Sequence, residues 1–229
     1  ILNTGVEYLQ NEGMINEKQT VDYMQTVGPR LTYKSGKLSA NTAAYFQLGK
    51  SLDTNVNAYY FAGDVGYKIN DSFNVGLGVE YLSGKDMNDT ETDIKSFAPL
   101  FGTNHKFNGW MDYFYVGNHA NNVGLVDFYG TFGYQKNKFT VKLMPHIFSS
   151  AAKIYNGSEK MSNSLGTEID LGLGYKLAKE ISINAGYSQM FATESMEVLK
   201  GGDKDEHNSW TWVMITFKPK LFSYTKEIE

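Results

Sequence analysis

Five oxygen-bearing side chains crowd one short stretch, Asp86, Asn88, Asp89, Glu91 and Asp93, and ligands of that kind bind Ca²⁺. The stretch lacks the glycine-centred spacing of an EF-hand loop, so it reads as a solvated acidic loop. The four histidines, His105, His119, His146 and His207, stand at no short metal-ligand spacing. No metal and no cofactor is expected. His207, with Ser209 and Asp203 nearby, offers residue types used in nucleophilic hydrolysis, but nearness in a polar loop fixes no geometry. Gly201-Gly202 lacks the strand-to-helix setting of a phosphate cradle, and no basic stripe points to nucleic acid. The chain is not expected to be an enzyme.

The remaining charges sit in a different pattern. Leu165, Thr167, Ile169, Leu171, Leu173, Tyr175 and Leu177 alternate with Gly166, Glu168, Asp170, Gly172, Gly174 and Lys176, so one face of an extended segment is apolar and the other polar or bare. The same alternation runs through Ser72–Leu82, Lys138–Phe148 and Glu180–Phe191. Weaker versions cover Leu2–Leu9, Val21–Lys34, Leu38–Gly49, Asn57–Ile69, Val123–Gln135 and Ser209–Phe222. About ten strands of this kind, joined by links that alternate between short and long, describe a transmembrane antiparallel up-and-down β-barrel whose apolar face meets lipid.

Composition is compatible with that reading. The chain of 229 residues has no Cys, 23 Gly, 16 Tyr, 14 Phe, 4 Pro and a net charge of -4. Its mean hydropathy is negative, as expected when half of every membrane strand is polar. No run of about 18 apolar residues exists, which excludes a helical membrane span. Ile1–Gln10 already reads as strand and there is no initiator Met, so the chain is expected to be the C-terminal part of a longer secreted precursor. Residues 1–229 form one barrel domain, ending in a short polar periplasmic tail, Ser223–Glu229.

Short links fall at Ser35-Gly36-Lys37, Asn70-Asp71, Lys136-Asn137 and Ala178-Lys179. Long ones fall at 10–20, 50–56, 83–122, 149–164 and 192–208. Short links belong to the periplasm and long ones to the exterior. This parity decides the aromatic stretch Phe107–Val116, which propensity alone would make a strand. A crossing there would invert every later link, so it belongs to the loop 83–122. A loop so long and aromatic is expected to fold into the barrel as a constriction or to cover its mouth, with His105, Trp110, Asp112, Tyr113, Tyr115 and His119 as its constriction residues, the plainer alternative being that it packs on the outer rim as structural filler. His105 and His119 would be hydrogen-bonded supports of the folded loop.

The strand faces give the lumen. Inward acidic residues are Glu7, Asp22, Asp64, Glu80, Asp127, Glu168 and Asp170, mostly in the outer half; inward basic residues are Arg30, Lys34, Lys68, Lys142, Lys176, Lys218 and Lys220, toward the periplasm. Such polarity is expected to bias which ions enter, with an outer mouth that favours cations or neutral polar solutes. Pairing of these groups across neighbouring strands is the plainer alternative. Inward Tyr45, Tyr60 and Tyr129 are placed to stack on sugar rings.

The stretch Phe97–Leu125, FAPLFGTNHKFNGWMDYFYVGNHANNVGL, resembles the alginate-export outer-membrane porin family of Bacteroidetes type, and WVMITFKPKLF, Trp212–Phe222, is similar to that family's last strand. The resemblance implies a barrel of about 18 strands in the bacterial outer membrane, of which this chain supplies the last ten. It implies contact with the lipid bilayer and lipopolysaccharide, and passive passage of a polar solute or saccharide. Arg30 is the only arginine, whereas a polyuronate pore is expected to carry many, because guanidinium pairs well with carboxylates. Two other readings stay open: a plugged structural or interaction barrel attached to a larger envelope complex, and an outer-membrane hydrolase.

Overall fold

The computed structural model describes residues 1–11, 17–100, 108–114, 122–219 and 221–222, with backbone alone for 6–11 and 17–19. Its strands are β1 (Leu2–Asn11), β2 (Glu17–Val27), β3 (Arg30–Ser35), β4 (Leu38–Ser51), β5 (Thr54–Lys68), β6 (Phe73–Leu82), β7 (Leu125–Lys136), β8 (Phe139–Ser149), β9 (Tyr155–Asn156), β10 (Glu159–Lys160), β11 (Ser164–Lys176), β12 (Ile181–Ala192) and β13 (Asn208–Phe217). A helix, α1 (Glu194–Lys200), lies between the last two. Eleven strands make one antiparallel sheet in chain order, while β9 and β10 form a separate hairpin. Among the described residues no bond joins β1 to β13, so the sheet is curved but not closed by its own end strands.

The stretch expected as a single strand over Val21–Lys34 is two. Pro29 has no N–H to give to a ladder, and the chain breaks at Gly28-Pro29. β2 then pairs with the far half of β4 and β3 with its near half, so the two together make one crossing. The link expected at 50–56 is likewise shorter. Leu52 and Asp53 both adopt positive φ (50° and 60°) and close β4 onto β5 in a two-residue turn. The last strand ends at Phe217, before Pro219, and not at Phe222.

Side chains alternate as the sequence requires. Phe61, Leu77, Phe128, Ile147, Ile215 and their like are exposed on the outer face. Aromatic residues gather near both ends of that face: Tyr59 stacks on Tyr81 with ring centres 5.8 Å apart toward the long loops, and Phe73 meets Tyr134 at 4.8 Å beside the short turns. These are the interfacial girdles of a membrane barrel. No helix among the described residues is long and apolar enough to cross a membrane.

The apolar core lies inside the outer mouth. Leu82, Leu125, Phe148, Leu165 and Met190, from strand ends, pack with Phe97, Phe114, Val123, Ile154 and Met196, from the loops and α1. α1 seats Met196 there. Thr193 caps it, accepting the Met196 N–H and donating to the Ser164 carbonyl at 2.6 Å. Replacing Thr193 by Ala is expected to cost about 1 kcal/mol. Amide exchange at Met196 should quicken by about fivefold, with the sheet amides unchanged.

Candidate functional site

The loop 83–122 runs into the mouth of the barrel in its described segments, residues 83–100, 108–114 and 122. After Leu82 it first runs beside β5, where Ile94 bridges Val56 and exchanges backbone hydrogen bonds with Asn55 and Asn57. Gln47, 1% exposed on the inner face of β4, grips it twice: its Nε2 donates to the Ala98 carbonyl at 2.8 Å, and its Oε1 accepts the Ala98 N–H at 3.0 Å. Phe97 stacks on Tyr60, which with Tyr45 faces inward as expected, but the two tyrosines stack on each other at 5.7 Å.

The segment Asn108–Phe114 then lies against the inner wall. The buried Asn108 amide donates to Glu80 and Asp127, both at 3.2 Å. Glu168 Oε1 accepts the N–H groups of Trp110 at 2.6 Å and Met111 at 2.9 Å, and Asp170 accepts that of Trp110 at 3.2 Å. Backbone donors reaching carboxylates are charge-assisted and strong. Phe114 packs on Phe148 at 4.7 Å, while the Tyr113 hydroxyl accepts from Asn208 on β13. Asn108 and Asp112 take positive φ, which turns the short segment back on itself. The expected constriction residues Trp110, Asp112 and Tyr113 are therefore inside the mouth. His105, Tyr115 and His119 lie outside the described residues.

His146 is the member that sequence reasoning missed. It was read as a lone histidine without ligand spacing. Projecting from β8, it is 2% exposed, its Nδ1 lies 3.0 Å from Asp127, and its Nε2 is 3.6 Å from Asp170. Ser188 donates to Asp170 at 2.5 Å. Four acidic groups on β6, β7 and β11 thus share one imidazole, the Asn108 amide and the loop's N–H groups. Glu168 Oε2 and His146 Nε2 are buried without a hydrogen-bond partner among the described residues. The register explains the assembly: Glu80 pairs with Asp127, and Glu168 with His146, so their side chains share the inner face.

Hydrogen-bonded rows divide the inner face along the strands. Below the acidic row, Lys142, Gly172, Gly186 and Trp212 stand in one row. The Trp110 indole lies over bare Gly172 and that of Trp212 over Gly186, with their ring centres 6.5 Å apart and the Lys142 ammonium 5.6 Å from Trp110. Farther toward the short turns come Lys176 and Lys218, both exposed. Lys68 pairs with Asp71 at 2.9 Å, and the exposed Arg30 sits opposite Ala43 on the inner face. Lys34 faces inward beside Ser39; Lys220 lies outside the described residues.

Two expectations on the acidic residues change. The Glu7 side chain lies outside the described residues, and its backbone pairs with Val21, which puts that position on the face opposite Asp22. A slip of one residue reverses a strand's faces. Asp127, Glu168 and Asp170 are 1%, 0% and 0% exposed under the loop, so they do not line an open outer mouth. Asp64 accepts from Asn41 and Asp22 from the Asp53 N–H, so both stay engaged on the wall.

The exterior loops hold one another. Asp89 and Glu91 pair with Lys95 within the loop, and Asp93 accepts from Asn55 on β5. No group able to hold a metal occurs among the described residues. Ser209 lies on the outer face with Val213, and Asp203 accepts the Asp205 N–H. Asp86 joins the loop to the 149–164 link: it accepts the Lys153 N–H at 2.8 Å and pairs with its ammonium at 3.0 Å. The N–H bond first, then the ammonium, holds the Asp86 carboxyl below its ordinary value. A carboxylate depressed by folding contributes stability above its unfolded pKa, near 4, and loses it as pH falls through the folded value. Amide exchange at Lys153 should therefore accelerate below about pH 4, and Asp86→Asn should abolish that dependence.

A membrane-facing sheet of this topology, with short links at one end and, β4–β5 apart, longer polar ones at the other, defines an outer-membrane β-barrel. Residues 19–213 match the family described as outer membrane protein beta-barrel domain, and the chain belongs to that family. It resides in the bacterial outer membrane, in contact with the bilayer. No curated protein matches it. Among solved structures it is similar to a NanC porin in a rhombohedral crystal form: 14% identical, covering 95% of this chain and 92% of that one, with a TM-score of 0.47.

Proposed function

We propose that this protein is a passive outer-membrane channel for small polar solutes or saccharides, of the kind that the alginate-export resemblance implies, and that the loop 83–122 closes its outer mouth. The observation that carries this reading is the loop held by its N–H groups on Glu168 inside the wall, above a row of bare glycines. Lipopolysaccharide is the expected outer-leaflet neighbour, and no catalytic role is assigned. The test is planar-bilayer conductance of the refolded chain against a variant lacking residues 108–114. The intact protein should show rare, small steps and the deletion frequent, larger ones.

A second reading, a plugged interaction barrel within an envelope complex, draws support from the apolar layer that fills the mouth, Phe97, Phe114, Phe148 and Met196. Silence of both proteins in the bilayer would favour it and sink the channel.

A further inference from the structure

The acidic row is buried under the loop. At the opposite end, a cavity of about 330 Å³ opens on the inner face, lined by Lys138, Lys176, Lys179 and Lys218, with Glu180 as its one carboxylate and Asn184 among its hydrogen-bonding groups. That volume suits a small ligand. All four lysines are exposed. Lys138 donates to the Leu177 carbonyl at 3.3 Å, and none of the four is in a salt bridge among the described residues.

Distance decides whether the acidic row cancels this cluster. Lys176 is six residues along β11 from Asp170, roughly 20 Å of extended chain. The screening length in physiological salt is about 8 Å, so the two charge groups act separately. The cavity also belongs to the lumen and not to the lipid surface. Of its lining, Lys176, Ser182, Asn184 and Thr216 occupy inner-face positions and Tyr175 and Ile181 outer-face ones, whereas Phe139, Leu173 and Phe217, on the outer face at the same height, take no part in it.

We propose that this periplasmic vestibule is a binding site for small polyvalent anions, carboxylates or phosphates, held by Lys176, Lys179, Lys218 and Lys138. It deepens the channel reading by adding an anion site at the periplasmic end, apart from the cation preference expected of the outer mouth, and rests on that reading only for its role in transport. Binding is therefore measured without current. The refolded full chain in nanodiscs of zwitterionic lipid is titrated calorimetrically with citrate, inorganic phosphate and glucose at constant ionic strength. Citrate should bind saturably and more tightly than phosphate, and glucose not at all. The double variant Lys176→Gln/Lys218→Gln should weaken citrate binding roughly twofold to thirtyfold, the loss of two exposed ionic contacts.

Absence of saturable citrate binding, or equal affinity in the double variant, overturns the proposal. So does loss of citrate binding in nanodiscs of anionic lipid, which would assign the lysines to headgroups. The two readings fail separately: citrate bound by a barrel that never conducts leaves the site standing and sinks the channel, whereas a conducting barrel indifferent to citrate does the reverse.

Discussion

Glu168→Ala should free the inner segment of the loop from the wall. The carboxylate is fully buried and accepts two backbone N–H groups, from Trp110 and Met111. Truncation strands the Met111 N–H and leaves the Trp110 N–H only its 3.2 Å bond to Asp170; a buried group left unpaired costs about 1–3 kcal/mol, and a lost hydrogen bond to a charged group about 1.5–3 kcal/mol. Relief of repulsion from neighbouring Asp170 works in the opposite direction, so the net loss is expected near 2–4 kcal/mol. Since 1.4 kcal/mol is about a tenfold change, the released population should rise by roughly 30- to 700-fold. Limited proteolysis reads this directly as faster cutting within 108–114 while the sheet stays intact. Glu168→Gln keeps one acceptor oxygen and should fall between. Wild-type protection in the Ala variant would refute the anchoring.

Strand faces were legible because the code is short: period-two alternation needs only neighbours. The same code, summed over the chain, fixed the parity that kept Trp110 and Tyr113 in a loop. The acidic network was half legible. Glu80, Asp127, Glu168 and Asp170 could each be assigned inward, but their purpose depends on cross-strand register and on a loop whose entry point no local signal gives. His146 illustrates the limit, for its partners Asp127 and Asp170 are 19 and 24 residues away on other strands. Asp127 and Asp170 were expected to face the solute path and instead bind protein.

Other misses have local causes. Leu52 holds a left-handed φ of 50°, a conformation that a branched side chain rarely signals, so the turn was hidden where an Asn or Gly would have announced it. α1 has seven residues, too few for a helical period to stand out from a polar loop. The face of Glu7 was lost to a register fixed only by pairing with β2.

Gly84→Ala tests the neck through which the loop leaves and returns. A Cβ at Gly84 would lie 1.9 Å from the carbonyl carbon of Val123, 2.0 Å from its oxygen and 2.2 Å from the Gly124 nitrogen. These are backbone atoms and cannot swing aside as a flexible side chain does. The two strands of the neck are also bonded across it, with the Lys85 N–H donating to the Asn122 carbonyl at 2.9 Å. Relief of the clash must separate residues 83–85 from 122–124 and so disturb Leu82, Val123 and Leu125 in the mouth core. Overpacking of this kind costs about 3 kcal/mol or more. Gly63→Ala is the control: it lies mid-strand on the outer face, paired with Val79, and a Cβ there meets nothing within 4 Å, so its effect should stay within about 0.5 kcal/mol. Urea unfolding of the refolded barrel, followed by tryptophan emission, should shift strongly for Gly84→Ala and hardly for Gly63→Ala. Equal midpoints would mean that the loop ends do not meet, and that the mouth is held by Glu168 and Gln47 alone.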